Sequence, residues 1–195
     1  MLEAQAIRDM SKLRKALGKL PEPVTNPFLI VVSGLPGTGK SYFSRRLAER
    51  LPALIVESDA LRRALFPTPS HSPEESRRLF QASHLLIAQL LKEGIPIIMD
   101  ATNLEERHRE PLYHIADQAS AKLIIVRVKA PPEVVRQRLE GRREGIDPRD
   151  KSRADWEVYR RMKGQVERIG RHHFIVDTSH DITPAIDKIV RAVRR

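Results

Sequence analysis

The 195 residues contain no cysteine, which removes disulfide bridges, thiolate metal sites and cysteine nucleophiles from consideration. No apolar run approaches the roughly 20 residues that a membrane-spanning helix needs. The first twenty residues, MLEAQAIRDMSKLRKALGKL, mix acids with bases and hold no secretory apolar core. These absences lead to the expectation of a soluble, cytoplasmic protein with no membrane partner. The seven histidines show no HExxH or HxH spacing beside a carboxylate, so His172 and His173 read as a surface pair rather than a metal site. Acidic residues are also short, 25 against 35 Lys and Arg, giving a formal charge of +10. Residues 127–171 carry fourteen of those bases against eight acids. A basic surface of this kind serves nucleic acid, nucleotide phosphates or solubility.

A chain of this length suits one well-buried domain with small appendages. Leu2, Ala6, Met10, Leu13 and Leu17 recur on one helical face, and three prolines between Gly18 and Pro27 prevent that helix from continuing. Residues 1–26 therefore read as an N-terminal helix and linker, and 27–195 as the main domain. Within it, Phe28–Ser33, Leu54–Val56, Ile95–Met99, Leu123–Val128 and Phe174–Val176 are short apolar runs separated by helix-patterned sequence. Strands alternating with helices predict an α/β fold: a three-layer sandwich whose five-stranded parallel sheet has helices on both faces. Helix starts are signed by Ser72 with Glu75, by Asn103 with Glu106, and by proline in a first turn at Pro132 and Pro184. Trp156, Tyr159 and Met162 follow helical spacing, which favours core contacts over a base-stacking platform.

Gly34-Leu35-Pro36-Gly37-Thr38-Gly39-Lys40-Ser41 matches GxxxxGK[ST] between a buried strand and a helix. In that context backbone N–H groups turn inward around a β-phosphate, and the helix N-terminus attracts it further. Lys40 is suited to bridge β- and γ-phosphates and the Ser41 hydroxyl to ligate Mg²⁺, with Tyr42 following in the first turn. ATP and Mg²⁺ are thus the expected cofactors. There is no NKxD guanine-reading motif, no LSGGQ-like signature and no strand ending in Asp-Glu.

Three further elements lie at strand ends, where α/β sheets build their sites. In Glu57-Ser58-Asp59-Ala60-Leu61-Arg62, Asp59 and Arg62 stand three apart on an opening helix. The carboxylate could take a proton from an incoming hydroxyl and the arginine could hold an acceptor phosphate; equally, Ser58 and Asp59 could cap the helix while Arg62 pairs with Asp59. In Met99-Asp100-Ala101-Thr102-Asn103, Asp100 is suited to support the metal that Ser41 contacts, while a capping box with Glu106 accounts for Asn103. In Arg136-Gln137-Arg138-Leu139-Glu140-Gly141-Arg142, Arg138 and Arg142 share a helix face at the entry to a charged loop. An arginine-rich lid over 136–153 would supply positive charge to a transferring phosphoryl group; a solvated charged face is the alternative.

Taken together, GLPGTGKS, SDALR, MDATN and RQRLEGR resemble the P-loop kinases of the polynucleotide-kinase-like and zeta-toxin-like group, an AAA-type kinase set, over Phe28 to about Arg171. The resemblance implies a strand order of 2-3-1-4-5 and transfer of a γ-phosphoryl group to an alcohol. It implies Asp59 as general base, Arg62 as phosphate clamp, and Arg142 with Arg138 as lid arginines. It also marks Thr102, Asn103 and Arg107 as candidate acceptor contacts. The expected acceptor is the 5′-hydroxyl of a nucleic acid; the alternatives are a hydroxylated small molecule, or a non-catalytic ATP-binding adaptor. Two departures stand out: the chain has no DxDGT-type phosphatase signature, and the N-terminal helix lies outside the match.

Overall fold

Six successive residues, Phe28–Ser33, are all buried and form the central strand β1 of the sheet. Such a run fits a strand covered on both faces, where alternation is not needed. The computed structural model describes residues 2–143 and 154–195. In chain order it contains α1 (Leu2–Ala16), β1, α2 (Lys40–Ala48), β2 (Leu54–Glu57), α3 (Ser58–Leu65), α4 (Pro73–Lys92), β3 (Ile97–Asp100), α5 (Glu106–Gln118), β4 (Lys122–Lys129), α6 (Pro132–Arg143), α7 (Trp156–Lys163), β5 (Phe174–Asp177) and α8 (Thr183–Arg194).

The sheet is five-stranded in the order β2-β3-β1-β4-β5. Every pairing is parallel, with Val32 opposite Asp100, Glu57 opposite Asp100, and Ser33 opposite Arg127. Parallel strands put all their C-terminal ends on one edge. There each strand finishes on a polar or charged residue: Ser33, Glu57, Asp100, Lys129 and Asp177.

Alternate residues of each strand feed two separate cores. Leu29, Val31, Ile97 and Met99 pack with Leu13 of α1, Leu61 of α3, Leu86 and Leu90 of α4, and Leu112 of α5. Ile30, Val32, Ile98 and Val126 pack on the opposite face with Phe43 and Leu47 of α2 and Ile186 and Ile189 of α8. Burial of one such Leu or Ile contributes about 1.5–3 kcal/mol.

The N-terminal helix is part of this packing. Leu13 is fully buried, and Asp9, only 1% exposed, receives Arg78 of α4 through Nε and Nη2 at 2.9–3.2 Å. Its apolar stripe was legible in sequence; its buried carboxylate was not.

The helix-start signs hold at α4, where the Ser72 hydroxyl accepts from the Glu75 N–H at 3.2 Å, and proline opens α6 and sits in the first turn of α8. The capping box proposed for Asn103 and Glu106 does not form. Helix α5 begins at Glu106 with Glu105 as its cap residue. Asn103 instead adopts φ 42° and sends its side-chain amide to the Val32 carbonyl at 2.8 Å. A tertiary hydrogen bond to the central strand has won over the local cap.

Candidate active site

The loop between β1 and α2 curls at the head of the central strand. Gly37 and Gly39 have φ of 78° and 84°, values that L side chains rarely adopt. A Cβ on Gly39 would also stand 2.9 Å from the Thr178 hydroxyl. The Leu35 carbonyl accepts from Thr38 Oγ1 at 2.7 Å and from Lys40 Nζ at 3.1 Å, so the ammonium is drawn across the loop. Ser41 follows in the first turn of α2, and Tyr42 beyond it is 50% exposed. Gly34, Pro36 and Thr38 are buried, while Leu35 is half-buried under α6 and α7.

Asp100, at the end of β3 and 5% exposed, faces this loop. Burial pushes its carboxyl up, against the opposing pull of Lys40 and of a hydrogen bond from Ser41. Its Oδ2 atom is buried without a hydrogen-bond partner. Such an oxygen is costly unless something cationic meets it. An oxygen pair of carboxylate and hydroxyl is the donor chemistry that suits Mg²⁺, so the residues fit that ion. Glu57, beside Asp100 in the β2–β3 register, is also raised, by burial first and then by the Asp100 charge. Sequence reasoning passed over Glu57, although its position at the end of a buried strand was a usable signal.

Asp59 is exposed in the first turn of α3, close enough to add to the field on both Asp100 and Glu57. Arg62, one turn on, does not pair with it. Its guanidinium forms an ion pair with Glu75 of α4 and reaches Ser76 Oγ at 3.3 Å. Burial pushes the Glu75 carboxyl up, but the bonds from Arg62 and Ser70 outweigh it and bring the value down to about 2. The guanidinium has five N–H donors, so Nε and one hydrogen on each terminal nitrogen are left over.

The segment after β3 is held tightly. The Gly34 N–H donates to the Thr102 carbonyl at 3.0 Å, and Ser33 Oγ to the Asn103 carbonyl at 3.0 Å. Arg109 of α5, 0% exposed, donates through Nη1 to the Asn103 and Leu104 carbonyls at 2.7 and 2.6 Å. It also reaches Glu106 at 2.9 Å and the Arg168 carbonyl at 3.2 Å. Arg107, the residue singled out in sequence, lies on the rim with a 74% exposed side chain paired to Glu105. What sets Arg109 apart from Arg107 is that its partners come from two stretches of chain, residues 103–106 and Arg168.

On the other side of the loop, Arg138 donates to the Thr178 hydroxyl and carbonyl, both at 2.8 Å. That hydroxyl in turn donates to the Thr38 carbonyl at 2.7 Å. Arg138 and Thr178 thus brace the phosphate-type loop from behind β5. Tyr159 is 4% exposed and stacked on Trp156 at 4.7 Å, packed on Val135 and Leu139, which agrees with the core reading. The side chain of Arg142, and residues 144–153 of the expected lid, lie outside the described residues.

A glycine-turned loop gripping a strand-to-helix junction, on a 2-3-1-4-5 parallel sheet with an aspartate ending β3, defines a P-loop kinase fold. The chain belongs to the AAA domain family, whose model matches residues 29–169. It is 30% identical over 115 residues to the L-seryl-tRNA(Sec) kinase of Methanococcus maripaludis, covering 56% of this chain and 44% of that one. The chain thus spans less than half the length of that relative. It is 26% identical over 186 residues to a UPF0200 protein of Thermococcus gammatolerans, covering 86% of this chain and 98% of the relative. The Mycobacterium tuberculosis APS kinase CysC, solved with AMPPNP and APS, shares the fold with a TM-score of 0.65 at 16% identity, covering 89% of this chain and all of that one.

Proposed function

We propose that the protein is an ATP-dependent kinase that transfers the γ-phosphoryl group to an acceptor hydroxyl carried by nucleic acid, with a 5′-hydroxyl end as the favoured acceptor. The observation that carries the kinase reading is the juxtaposition of the Lys40–Ser41 loop with a buried Asp100 whose Oδ2 has no partner. The acceptor class is supported by the basic excess at residues 127–171 and by a relative named for a tRNA-borne seryl hydroxyl.

In this reading the loop amides from Gly34 to Ser41 cradle the phosphates, and Lys40 moves from the Leu35 carbonyl onto the β- and γ-oxygens. Ser41 and Asp100 would hold Mg²⁺, which neutralises charge on the phosphate oxygens when bound. Asp59 accepts the acceptor's hydroxyl proton as the new O–P bond forms and the bond to the β-phosphate oxygen breaks, releasing ADP. Arg62, steadied by Glu75, offers its remaining donors to an acceptor phosphate. Arg138 supports the loop through Thr178, Arg142 supplies positive charge to the transferred group, and Thr102 and Arg107 border the acceptor, with the buried Asn103 shaping the loop that carries them.

The test is an acceptor panel with γ-labelled ATP: 5′-hydroxyl oligonucleotides, seryl-tRNA and a hydroxylated metabolite pool. Label on the oligonucleotides, suppressed steeply by salt, supports the proposal. Label only in the metabolite pool gives the small-molecule kinase instead, and ATP binding without transfer to any acceptor gives the adaptor.

A further inference from the structure

The stretch from α7 to the start of β5 carries five exposed bases, Arg160, Arg161, Lys163, Arg168 and Arg171. Among the described residues none of them forms an ion pair with a carboxylate. Elsewhere on the surface Arg46 pairs with Glu49 and Arg136 with Glu140. Of the two acids between Trp156 and Arg171, Glu157 and Glu167, the second is already engaged, accepting from the Glu106 N–H at 2.6 Å.

The position of this stretch is fixed at both ends. Tyr159 anchors α7 on Val135 and Leu139 of α6, with Leu35 of the phosphate-type loop packed against the same cluster. Further on, the Glu167 N–H donates to the Leu104 carbonyl at 3.0 Å, the Glu167 carboxylate accepts from Glu106, and Arg109 grips the Arg168 carbonyl. Ile169 is buried against Tyr113 and Ile125, and the Arg171 guanidinium lies over the Tyr113 ring at 4.5 Å. The exposed bases therefore run from beside the donor loop to the loop that follows Asp100, along the margin of the site.

We infer that this strip is the track for the sugar–phosphate backbone of the acceptor strand, whose end enters the site between Asp59 and the post-β3 loop. The inference rests on the nucleic-acid reading above and adds the surface that would recognise it. Phosphodiester groups are the charge complement of unpaired, exposed guanidinium and ammonium groups, and a backbone track needs no fixed base sequence. Glu167 and Arg109 hold this strip against the loop that follows Asp100.

The experiment measures anisotropy of a fluorescent single-stranded 16-mer with a 5′-hydroxyl, at several salt concentrations, for the wild type and for the triple variant Arg160→Gln, Arg161→Gln, Lys163→Gln. AMPPNP affinity of the same preparations checks that the loop is intact. The expected result is a salt slope shallower by about 2, from roughly 0.7 per lost phosphate contact, with affinity at low salt reduced about 10-fold or more. Arg168→Gln with Arg171→Gln should show a smaller effect of the same sign. If the wild type binds the oligonucleotide and both variants bind it equally, with the same slope, the strip is overturned while the nucleic-acid reading stands. If the wild type binds AMPPNP but no oligonucleotide at low salt, both fall together.

Discussion

Glu57 and Asp100 are register partners at the last positions of β2 and β3, so two acidic side chains leave adjacent strands at the head of the phosphate-type loop. Both are pushed up by burial, and the Asp100 charge raises Glu57 further. A protein holds two carboxylates so close together and so far from solvent at a cost in stability. Asp100→Asn should therefore raise the melting temperature or leave it unchanged, while manganese affinity in the presence of AMPPNP, followed by electron paramagnetic resonance, falls. Phosphoryl transfer should drop by about 10²–10³-fold, the scale seen when one preorganised electrostatic contact is removed. A variant that melts well below the wild type would mean that Asp100 serves the fold.

Lys40 offers a sharper separation of binding from architecture. Its ammonium is held by the Leu35 carbonyl and acts on the Asp100 carboxylate, outside both apolar cores. Lys40→Met should unfold at nearly the wild-type temperature and lose transfer by about 10²–10³-fold. Calorimetry and labelled-ATP turnover on the same preparation check both halves.

The Arg62–Glu75 pair ties α3 to α4. With the folded value of Glu75 near 2, below its ordinary 4.5, the carboxylate stabilises the fold at every pH above about 4.5. That contribution is lost as pH falls from 4.5 through 2. Melting curves of Glu75→Gln against wild type should show the variant less stable at neutral pH, and the gap should close toward pH 2. A gap independent of pH would assign the effect to packing instead.

Asn103 combines a left-handed backbone with a buried amide bonded to Val32. Asn103→Ala leaves the Val32 carbonyl without that donor and keeps the unfavourable φ, so it should cost about 1–3 kcal/mol in urea unfolding. Asn103→Gly relieves the φ and should recover part of the loss.

The sheet was legible in sequence because its strands are short, apolar and spaced by helices; the five proposed runs match the five strands to within two residues at either end. The phosphate-type loop was legible because its chemistry is local, carried by consecutive residues. What sequence could not show depends on contacts between distant stretches. Asn103 looked like a cap because its neighbours satisfy the capping pattern, yet its amide is taken by Val32, 71 residues away. Arg62 stood beside Asp59 in the helix but found Glu75. Arg109 and Thr178 owe their positions to segments that meet only in the folded chain, Arg109 through the Arg168 carbonyl and Thr178 through the Thr38 carbonyl.

In the proposed reaction Asp59, exposed at the start of α3 beside the carboxylates of Glu57 and Asp100, takes the proton from the acceptor hydroxyl. The most direct measurement is single-turnover transfer from γ-labelled ATP to a 5′-hydroxyl oligonucleotide by wild type and Asp59→Asn, with AMPPNP affinity and melting temperature measured in parallel. Transfer should fall at least about 10²-fold, with nucleotide affinity and melting temperature unchanged. Equal transfer by the two proteins, or a variant that loses nucleotide affinity or melts early, would contradict it and make Asp59 a residue of the helix start alone.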